Sequence, residues 1–414
     1  MNLELFIAQR LLRKGGPHEK AVSVPIVRIA LLGIALGVCV ILLSVFIVGG
    51  FKKEITQKVT GFSSHLNIVS YGNNNYYGDE KVKYSDTLAT ALTNIQETKN
   101  VYGFINKPSI LKSGTEINGV VLYGVDTAYN TVFLQENLKQ GELPDYHTER
   151  ASDEILLSAS VAKILSLGVG DKVQAHFVQE PPRARVFTVK GIYDTGFKEY
   201  DEIIVFCDLR HLQRLNSWAS DEVSGIAVEL HDIELLPQAV EAVETALSLV
   251  EEDDYFYKVK TIYEMSPQMF DWLNLINTNI WVILILVITV AGFNMVSGLF
   301  ILILDKTLLI GVLKALGYQN IKLRKLFLYV SMKLIGKGIL WGNGLAFLIG
   351  FIQYKFKLIH LDPSSYYMDT VPLEFNFLYV ILLDLCVWVV STLVLVLPTM
   401  LISKINPIKA IRFE

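Results

Sequence analysis

Hydrophobic positions along the chain fall into four long unbroken runs, with a stretch of mixed, shorter-period patterning between the first and the second. Ile26 to Gly50 carries one charge, Arg28, and Ile280 to Leu304 carries none. Leu326 to Phe351 holds Lys333 and Lys337, and Phe377 to Ile402 holds only Asp384. Each run exceeds the roughly 20 apolar residues that cross a bilayer core as a helix. The pattern predicts an α-helical membrane protein with four transmembrane helices, at 26–50, 280–304, 326–351 and 377–402, and a large domain at 51–275 inserted between the first two. In residues 1–25, Leu3, Phe6, Ile7 and Leu11 share one helical face, so an amphipathic helix on the membrane surface is expected. The apolar run that follows is too long for a signal peptide, and no small-residue cleavage site ends it.

Residues 51–275 alternate on the periods of both strands and helices, which predicts a mixed α/β fold. Strands are expected at His65–Tyr71, in Val101–Val125 folded at Ser113-Gly114, on either side of a short helix in Glu154–Val178, at Arg185–Tyr193, Glu202–Phe206, Ser224–Leu230 and Tyr255–Ile262. Helices are expected at Ser85–Lys99 with Ser85 as N-cap, around Leu209–Leu215, and from Leu235 or Pro237 to Val250. The β-rich part near 150–220 suggests a second, smaller subdomain.

Charge then orients the runs. The segment 305–325 has Lys306, Lys314, Lys322, Arg324 and Lys325 against Asp305, which puts it on the cytoplasmic side. The tail 403–414, with Lys404, Lys409 and Arg412, is expected on that side too. The loop 352–376, with Asp362, Asp369 and Glu374, is expected on the other side, together with 51–275. Lys52, Lys53 and Lys58 weaken the rule locally. Within 305–325, Leu309, Val312, Leu313 and Leu316 recur at helical spacing and Gly317 supplies a C-cap. Such a helix is either an ordinary interfacial loop or an element placed to receive force from a soluble partner.

A composition of 52% hydrophobic and 19% charged residues, with mean hydropathy +0.40, fits a chain that is part membrane and part water-soluble. The net charge of −4 and the lack of a basic stripe argue against a nucleic-acid partner. Cys39 and Cys386 lie in apolar runs and Cys207 stands alone, so no disulfide framework is expected. No phosphate-cradling loop and no histidine or cysteine cluster with metal-ligand spacing is present; catalytic residues, a metal and a cofactor are not expected in this chain. Asp384 is costly in hydrocarbon. It is read either as a polar point on a translocation path or as a hydrogen bond to a neighbouring helix, for instance to Lys333 or Lys337. Gly33-x-x-x-Gly37 and Gly338-x-x-x-Gly342 let helices approach closely, or are merely tolerated.

The order of parts resembles the four-span permeases of the MacB-like and FtsX-like class. Within it, FIAQRLL at Phe6, GIALGVCVILLSVFIVGGF at Gly33, LGVGDKV at Leu167, VKGIYDTGFKEYDE at Val189, LKALG at Leu313 and the ending ISKINPIKAIRFE resemble the LolC/LolE lipoprotein-releasing permeases over essentially the whole chain. The resemblance implies a MacB-like periplasmic core with a small β-rich subdomain, in the inner membrane of a diderm bacterium. It implies a permease working with a second permease, identical or paralogous, and with a separate LolD-like ATPase that binds ATP and Mg. It further implies acylated lipoproteins as cargo, passed from the membrane lipid to a LolA-like periplasmic carrier.

On that resemblance, Lys306, Thr307, Ile310, Leu313, Lys314, Ala315, Leu316, Gly317 and Tyr318 match the helix that couples permease to ATPase. A carrier-hooking hairpin of the family matches Val178 to Ala184, with Gln179, Glu180, Pro181, Pro182 and Arg183 as the residues of interest. The turn is short, and its prolines either stiffen it for recognition or end a hairpin. Competing readings are an FtsX-like mechanotransmitter that regulates cell-wall hydrolysis and a MacB-like efflux permease.

Overall fold

The computed structural model describes residues 4, 6, 7, 23–72, 80–148, 150–177, 179, 181–249, 255–362 and 366–404. The expected surface helix at 1–25 lies largely outside them. The chain divides into two compact units, one of residues 1–53, 273–359 and 370–414, the other of residues 54–272 and 360–369.

The first unit is built from apolar helices: most of α1 (Ser23–Ser63, whose residues 54–63 belong to the second unit) and of α9 (Pro267–Asp305, whose residues 267–272 do), with α11 (Asn320–Phe356) and α12 (Phe377–Val394), joined by the shorter α10 (Thr307–Ala315), α13 (Val396–Thr399) and α14 (Leu401–Lys404). Four helical stretches among the described residues are long and apolar enough to cross a membrane: Leu31–Ser63, Pro267–Asp305, Asn320–Phe356 and Phe377–Thr399. Ile34, Leu42 and Phe46 of α1 pack with Leu299 of α9, Phe327 and Ala346 of α11 and Val387 of α12. The first helix does not stop with its apolar run at Gly50 but continues through Phe51–Ser63. There Ser64 takes a left-handed conformation (φ +56°) and its hydroxyl donates to the Asn67 side chain at 2.8 Å, which ends the helix.

The second unit holds one connected sheet of ten strands. In chain order these are β1 (Leu66–Ser70), β3 (Thr98–Ser113), β4 (Glu116–Val125), β5 (Leu138–Gly141), β6 (Glu154–Ser158), β7 (Lys172–Phe177), β8 (Arg183–Tyr193), β9 (Ile204–Asp208), β11 (Gly225–Leu230) and β12 (Tyr257–Thr261). The two short strands β2 (Val82–Lys83) and β10 (Glu222–Val223) pair separately. Helices α2 (Asp86–Thr93), α3 (Val132–Glu136), α4 (Ala159–Ile164), α5 (Lys198–Asp201), α6 (Leu209–Asn216), α7 (Leu236–Leu249) and α8 (Ile262–Met265) flank the strands. Ser85 caps α2 through Leu88 N–H, but the helix ends at Thr93 rather than near Lys99, because residues from Thr98 join β3.

The β-rich stretch near 150–220 does not make a sheet of its own. The far end of β3 pairs with β7 at Ser109–Lys112, while β4 pairs with β9, β9 with β6, β6 with β8 and β8 with β7. Six strands therefore form a closed ring of hydrogen-bonded neighbours, and the long β3–β4 hairpin belongs to both parts. Closure consumes the edges that a separate small sheet would leave open. Phe206 lies at the centre of the core, with Phe62, Tyr123, Tyr129 and Tyr193 ring centroids within 6.2 Å of it.

Candidate functional site: the turn between two spans, and its polar neighbours

Helix α10 lies between the long helices α9 and α11, and three features fix it. Thr307 Oγ1 donates back to Leu304 O at 2.6 Å, and Lys306 pairs with Asp305 at 3.1 Å. At the other end, Gly317 N–H meets Lys314 O (3.0 Å) and Tyr318 N–H meets Leu313 O (2.9 Å), with Gly317 at φ +86°. That is the double bond of a Schellman stop, and the backbone angle it needs is cheap only for glycine. Lys314 Nζ reaches across to Ile402 O (2.7 Å) and Ser403 O (3.3 Å) in α14, and Arg324 Nη2 donates to Ser403 Oγ at 2.5 Å. Burial pulls the Lys314 ammonium below its usual pKa.

The faces of α10 differ from the sequence expectation. Ile310 and Gly311 are its buried positions and Leu313 and Tyr318 pack partly against the helical core. Val312 (42% exposed) and Leu316 (79%) do not join Leu309 and Leu313 on a packed face; with Leu308 (55%) they form an open apolar row at i, i+4, i+8, flanked by the exposed Ala315. Four apolar residues in about two turns leave the direction of the face open, and packing in the folded chain decides it.

Among the helices, the contact at Gly338 and Gly342 is close. An added Cβ at Gly342 would stand 2.7 Å from Ala35 O and from Val38 Cβ, and one at Gly338 would stand 2.7 Å from Ile34 Cγ2. The small residues that admit α1 are thus on α11, while Gly33 and Gly37 are half-buried beside the Ile34, Ala35 and Val38 that press in. A similar approach at Gly50, where a Cβ would meet the backbone of Pro372 at 2.5 Å, was not foreseen in the sequence. Asp384 Oδ2 accepts from Asn343 Nδ2 at 2.6 Å, so its partner is this neutral residue on α11 rather than Lys333 or Lys337. Asp384→Leu would strand the Asn343 amide in an apolar helix pair; a lower melting temperature than for Asp384→Asn is the expected result, and equal melting would contradict the pairing.

In the second unit, β7 and β8 pair up to Phe177 and Arg183, and Val178 and Glu180 between them lie outside the described residues. Pro181 and Pro182 are exposed and Gln179 half-buried. Arg183 is already engaged: its Nη1 donates to Leu215 O (2.7 Å) and Arg214 O (3.4 Å), capping the end of α6.

A polar hub escaped the sequence reading altogether. Lys58 Nζ, on the extension of α1, donates to Thr195 O (2.7 Å) and Tyr367 O (2.9 Å). Tyr367 adopts φ +60°, stacks edge-on against Phe197 (5.2 Å) and Trp272 (6.2 Å), and its hydroxyl donates to Glu199 (3.3 Å). Lys53 pairs with Glu374 at 3.4 Å. Two of the three lysines that disturbed the charge rule therefore have local partners. A lysine whose acceptors come from 137 and 309 residues away leaves no periodic trace.

Two buried groups in this unit titrate in opposite senses. Burial and Lys99 push His65 down to about 4, while its Nδ1 accepts Leu230 N–H at 3.2 Å. Burial pushes the Asp201 carboxyl up to about 6, although Thr195 Oγ1 donates to it at 2.8 Å. The unfolded chain binds more protons at His65 between pH 4 and 6.5, so that group costs stability as pH falls. The folded chain binds more at Asp201 between about 4 and 6, so that group adds stability as pH falls. Each is worth on the order of 3 kcal/mol and they offset one another. Melting of Asp201→Asn should thus fall on acidification from pH 6.5 to 4, and that of His65→Gln should rise; a shared slope would refute the assignment.

Comparison with known proteins places this geometry. The model of the MacB-like periplasmic core domain matches residues 29–246, more than half of the chain. The chain belongs to the MacB-like periplasmic core domain family. The FtsX-like permease C-terminal model matches residues 281–407, which include α10 and its neighbours. Over most of its length the permease is similar to the lipoprotein-releasing system transmembrane protein LolC of Xylella fastidiosa strain 9a5c (25% identical, 93% of each chain). It is also similar to LolC of Neisseria meningitidis serogroup B (24%, 100% of each) and LolE of Haemophilus influenzae (22%, 98% of each). It is a multi-pass membrane permease of the LolC/LolE type, a non-catalytic class of transporter subunit. The periplasmic region of MacB from Actinobacillus actinomycetemcomitans superposes only loosely (TM-score 0.36, 15% identical, 52% of this chain and 97% of that one).

Proposed function

We propose that this permease is the transmembrane subunit of an ABC transporter that releases acylated lipoproteins from the inner membrane of a diderm bacterium to a LolA-like periplasmic carrier. The observation that carries the reading is the end-to-end similarity to proteins named for lipoprotein release. In this reading residues 51–275 are periplasmic, the segment 305–325 is cytoplasmic, and a second permease, identical or paralogous, completes the membrane part. ATP with Mg is bound by a separate LolD-like ATPase. In this reading the permease chain itself requires no cofactor.

The open row Leu308, Val312 and Leu316 is an apolar surface of the size that a helix-in-groove contact uses, and it seats in the ATPase. Movement of the ATPase displaces α10, and the Lys314 ammonium hands that displacement to Ile402 and Ser403 at the end of the fourth span. Gly317 keeps the direction of the chain out of the helix. Among the described residues of the turn, Arg183 is engaged with the end of α6, and Pro181 and Pro182 are the exposed ones that a carrier would meet.

Reconstitution tests the reading. The permease with its ATPase, in vesicles holding a triacylated lipoprotein, releases cargo to soluble carrier on addition of ATP; retention of cargo in the vesicles despite ATP hydrolysis contradicts it. Within the same assay, Lys314→Glu places a carboxylate against two carbonyls, and Gly317→Val forces a β-branched residue to positive φ at a cost of at least about 1–2 kcal/mol. Both should lower cargo-stimulated ATP hydrolysis at least tenfold with normal membrane insertion. Unchanged stimulation in both would count against α10 as the coupling element.

A further inference from the structure

Inside the second unit a cavity of about 350 Å³ lies between the sheet and the helical segments that border it. Its walls are apolar on most sides: Phe62 at the end of α1, Val121 of β4, Ile204 of β9, and Met265 and Met269 around the start of α9. Methionine side chains adapt their shape to what lies against them. Asn106 of β3 also lines the space. Its register partner is Tyr123, and Pro108 pairs with Val121, so Asn106, Tyr123 and Val121 share one face of the sheet, the face turned to the cavity.

Asn106 is 2% exposed, and among the described residues neither its Nδ2 nor its Oδ1 has a hydrogen-bond partner. A buried carboxamide left in this way costs stability, and a leucine of similar size would fill the position without that cost. Four other polar lining residues are already engaged. Tyr200 OH lies 3.0 Å from Ser266 Oγ and 3.5 Å from Ser63 Oγ, and the Glu199 carboxylate accepts from Tyr367. No lysine, arginine or histidine is among the lining residues, and one carboxylate is, so a carboxylate or phosphate head is not matched. One free donor beside one free acceptor on a single planar group is complementary to a C=O beside an N–H. A volume at the lower end of the ligand-site range admits one chain, not a lipid with several.

From this we infer that the cavity is a binding site for a single apolar chain carrying a secondary amide, that is, an N-acylated amine, with the Asn106 carboxamide donating to its carbonyl and accepting from its N–H. The site goes beyond lipoprotein release as proposed above and stands on the cavity's own chemistry. Its occupant is either the acyl-amide part of a cargo or a free amide-linked membrane lipid.

Photocrosslinking of the full-length permease in lipid nanodiscs tests it, with an N-alkyl dodecanamide that carries a diazirine at the chain end. Its ester analogue lacks the N–H and serves as the comparison. The amide should label peptides around Met265–Met269 or Ile203–Ile204 at least tenfold more than the ester does. Asn106→Leu should raise the melting temperature and remove that preference, and Met269→Trp should remove the labelling by filling the space. Competition by a purified triacylated lipoprotein identifies cargo as the occupant, and competition by extracted membrane lipid alone identifies a lipid. Equal labelling by amide and ester, labelling confined to other peptides, or a preference that survives Asn106→Leu overturns the inference. Because lipoprotein sorting is measured separately, failure of labelling with normal release leaves the proposed function standing, and labelling without release does the reverse.

Discussion

Leucine in place of Gly342 is expected to remove most of the folded permease from the membrane. The Cβ alone would stand 2.7 Å from the Ala35 carbonyl oxygen and 2.7 Å from Val38 Cβ. The first of these is backbone, which cannot turn aside as a side chain can. Helices α1 and α11 would have to separate by more than the width of the missing hydrogen, and every contact along their seam would loosen together, since packed interiors hold few voids to absorb the shift. Overpacking of this kind costs about 1–3 kcal/mol where side chains can yield, and more where they cannot. Gly344→Leu is the control. It lies on the same helix two residues on, is exposed, and has nothing within 4 Å of its Cβ position. Detergent extraction followed by size-exclusion chromatography should recover the Gly344 variant at wild-type yield and the Gly342 variant at a small fraction of it. Equal recovery would mean that the seam is not tight in the membrane.

The second large effect is expected at Lys58. Lys58→Met keeps the apolar stem but leaves Thr195 O and Tyr367 O without their donor, and the ammonium that bridged them is itself mostly buried (13% exposed). Charged hydrogen bonds of this kind contribute about 1.5–3 kcal/mol each, so a loss of about 3 kcal/mol is expected for the pair. Tyr367, held at φ +60°, is strained and stays in place only while its surroundings fix it. Amide hydrogen exchange in Lys58→Met should therefore accelerate at Gly196–Phe197 and at Met368–Asp369, with β9 and β11 unaffected. Uniform acceleration across the sheet would show that Lys58 supports the domain as a whole rather than this hub.

Where the pattern of residues repeats, the sequence already carried the structure. Strands β1, β3, β4, β8 and β11 lie within a few residues of the positions predicted for them, because runs of β-branched and aromatic residues bounded by turn residues mark them locally. The four apolar runs were legible from their unbroken length and lack of charge. Phe51–Ser63 was not read as a continuation of the first helix, since its lysines and glutamate suggested a boundary, although Phe51, Ile55, Val59 and Phe62 hold a buried helical stripe. The ring that joins the β-rich part to the β3–β4 hairpin depends on the pairing of Ser109–Lys112 with Gln174–Phe177, a non-local choice that local pattern does not encode.

The sites follow the same division. Gly317 was legible because a helix stop after Leu316 calls for a residue at positive φ. The exposed row on α10 was not, because the face that packs is set by a core assembled from distant helices. Asp384 announced itself as costly, but sequence reasoning sought an opposite charge and passed over Asn343, which lowers the cost with one hydrogen bond. Lys58 and Asn106 were invisible for a shared reason: their meaning lies in partners, or in the want of them, that only the folded chain brings together.

The most direct test of the central claim is depletion of this permease in its own cells, followed by separation of inner and outer membranes and quantification of acylated lipoproteins in each. Accumulation of outer-membrane lipoproteins in the inner membrane, before growth slows, is the predicted result. Unaltered sorting, with filamentation or changed wall hydrolysis instead, would contradict lipoprotein release and point to mechanotransmission by the same fold.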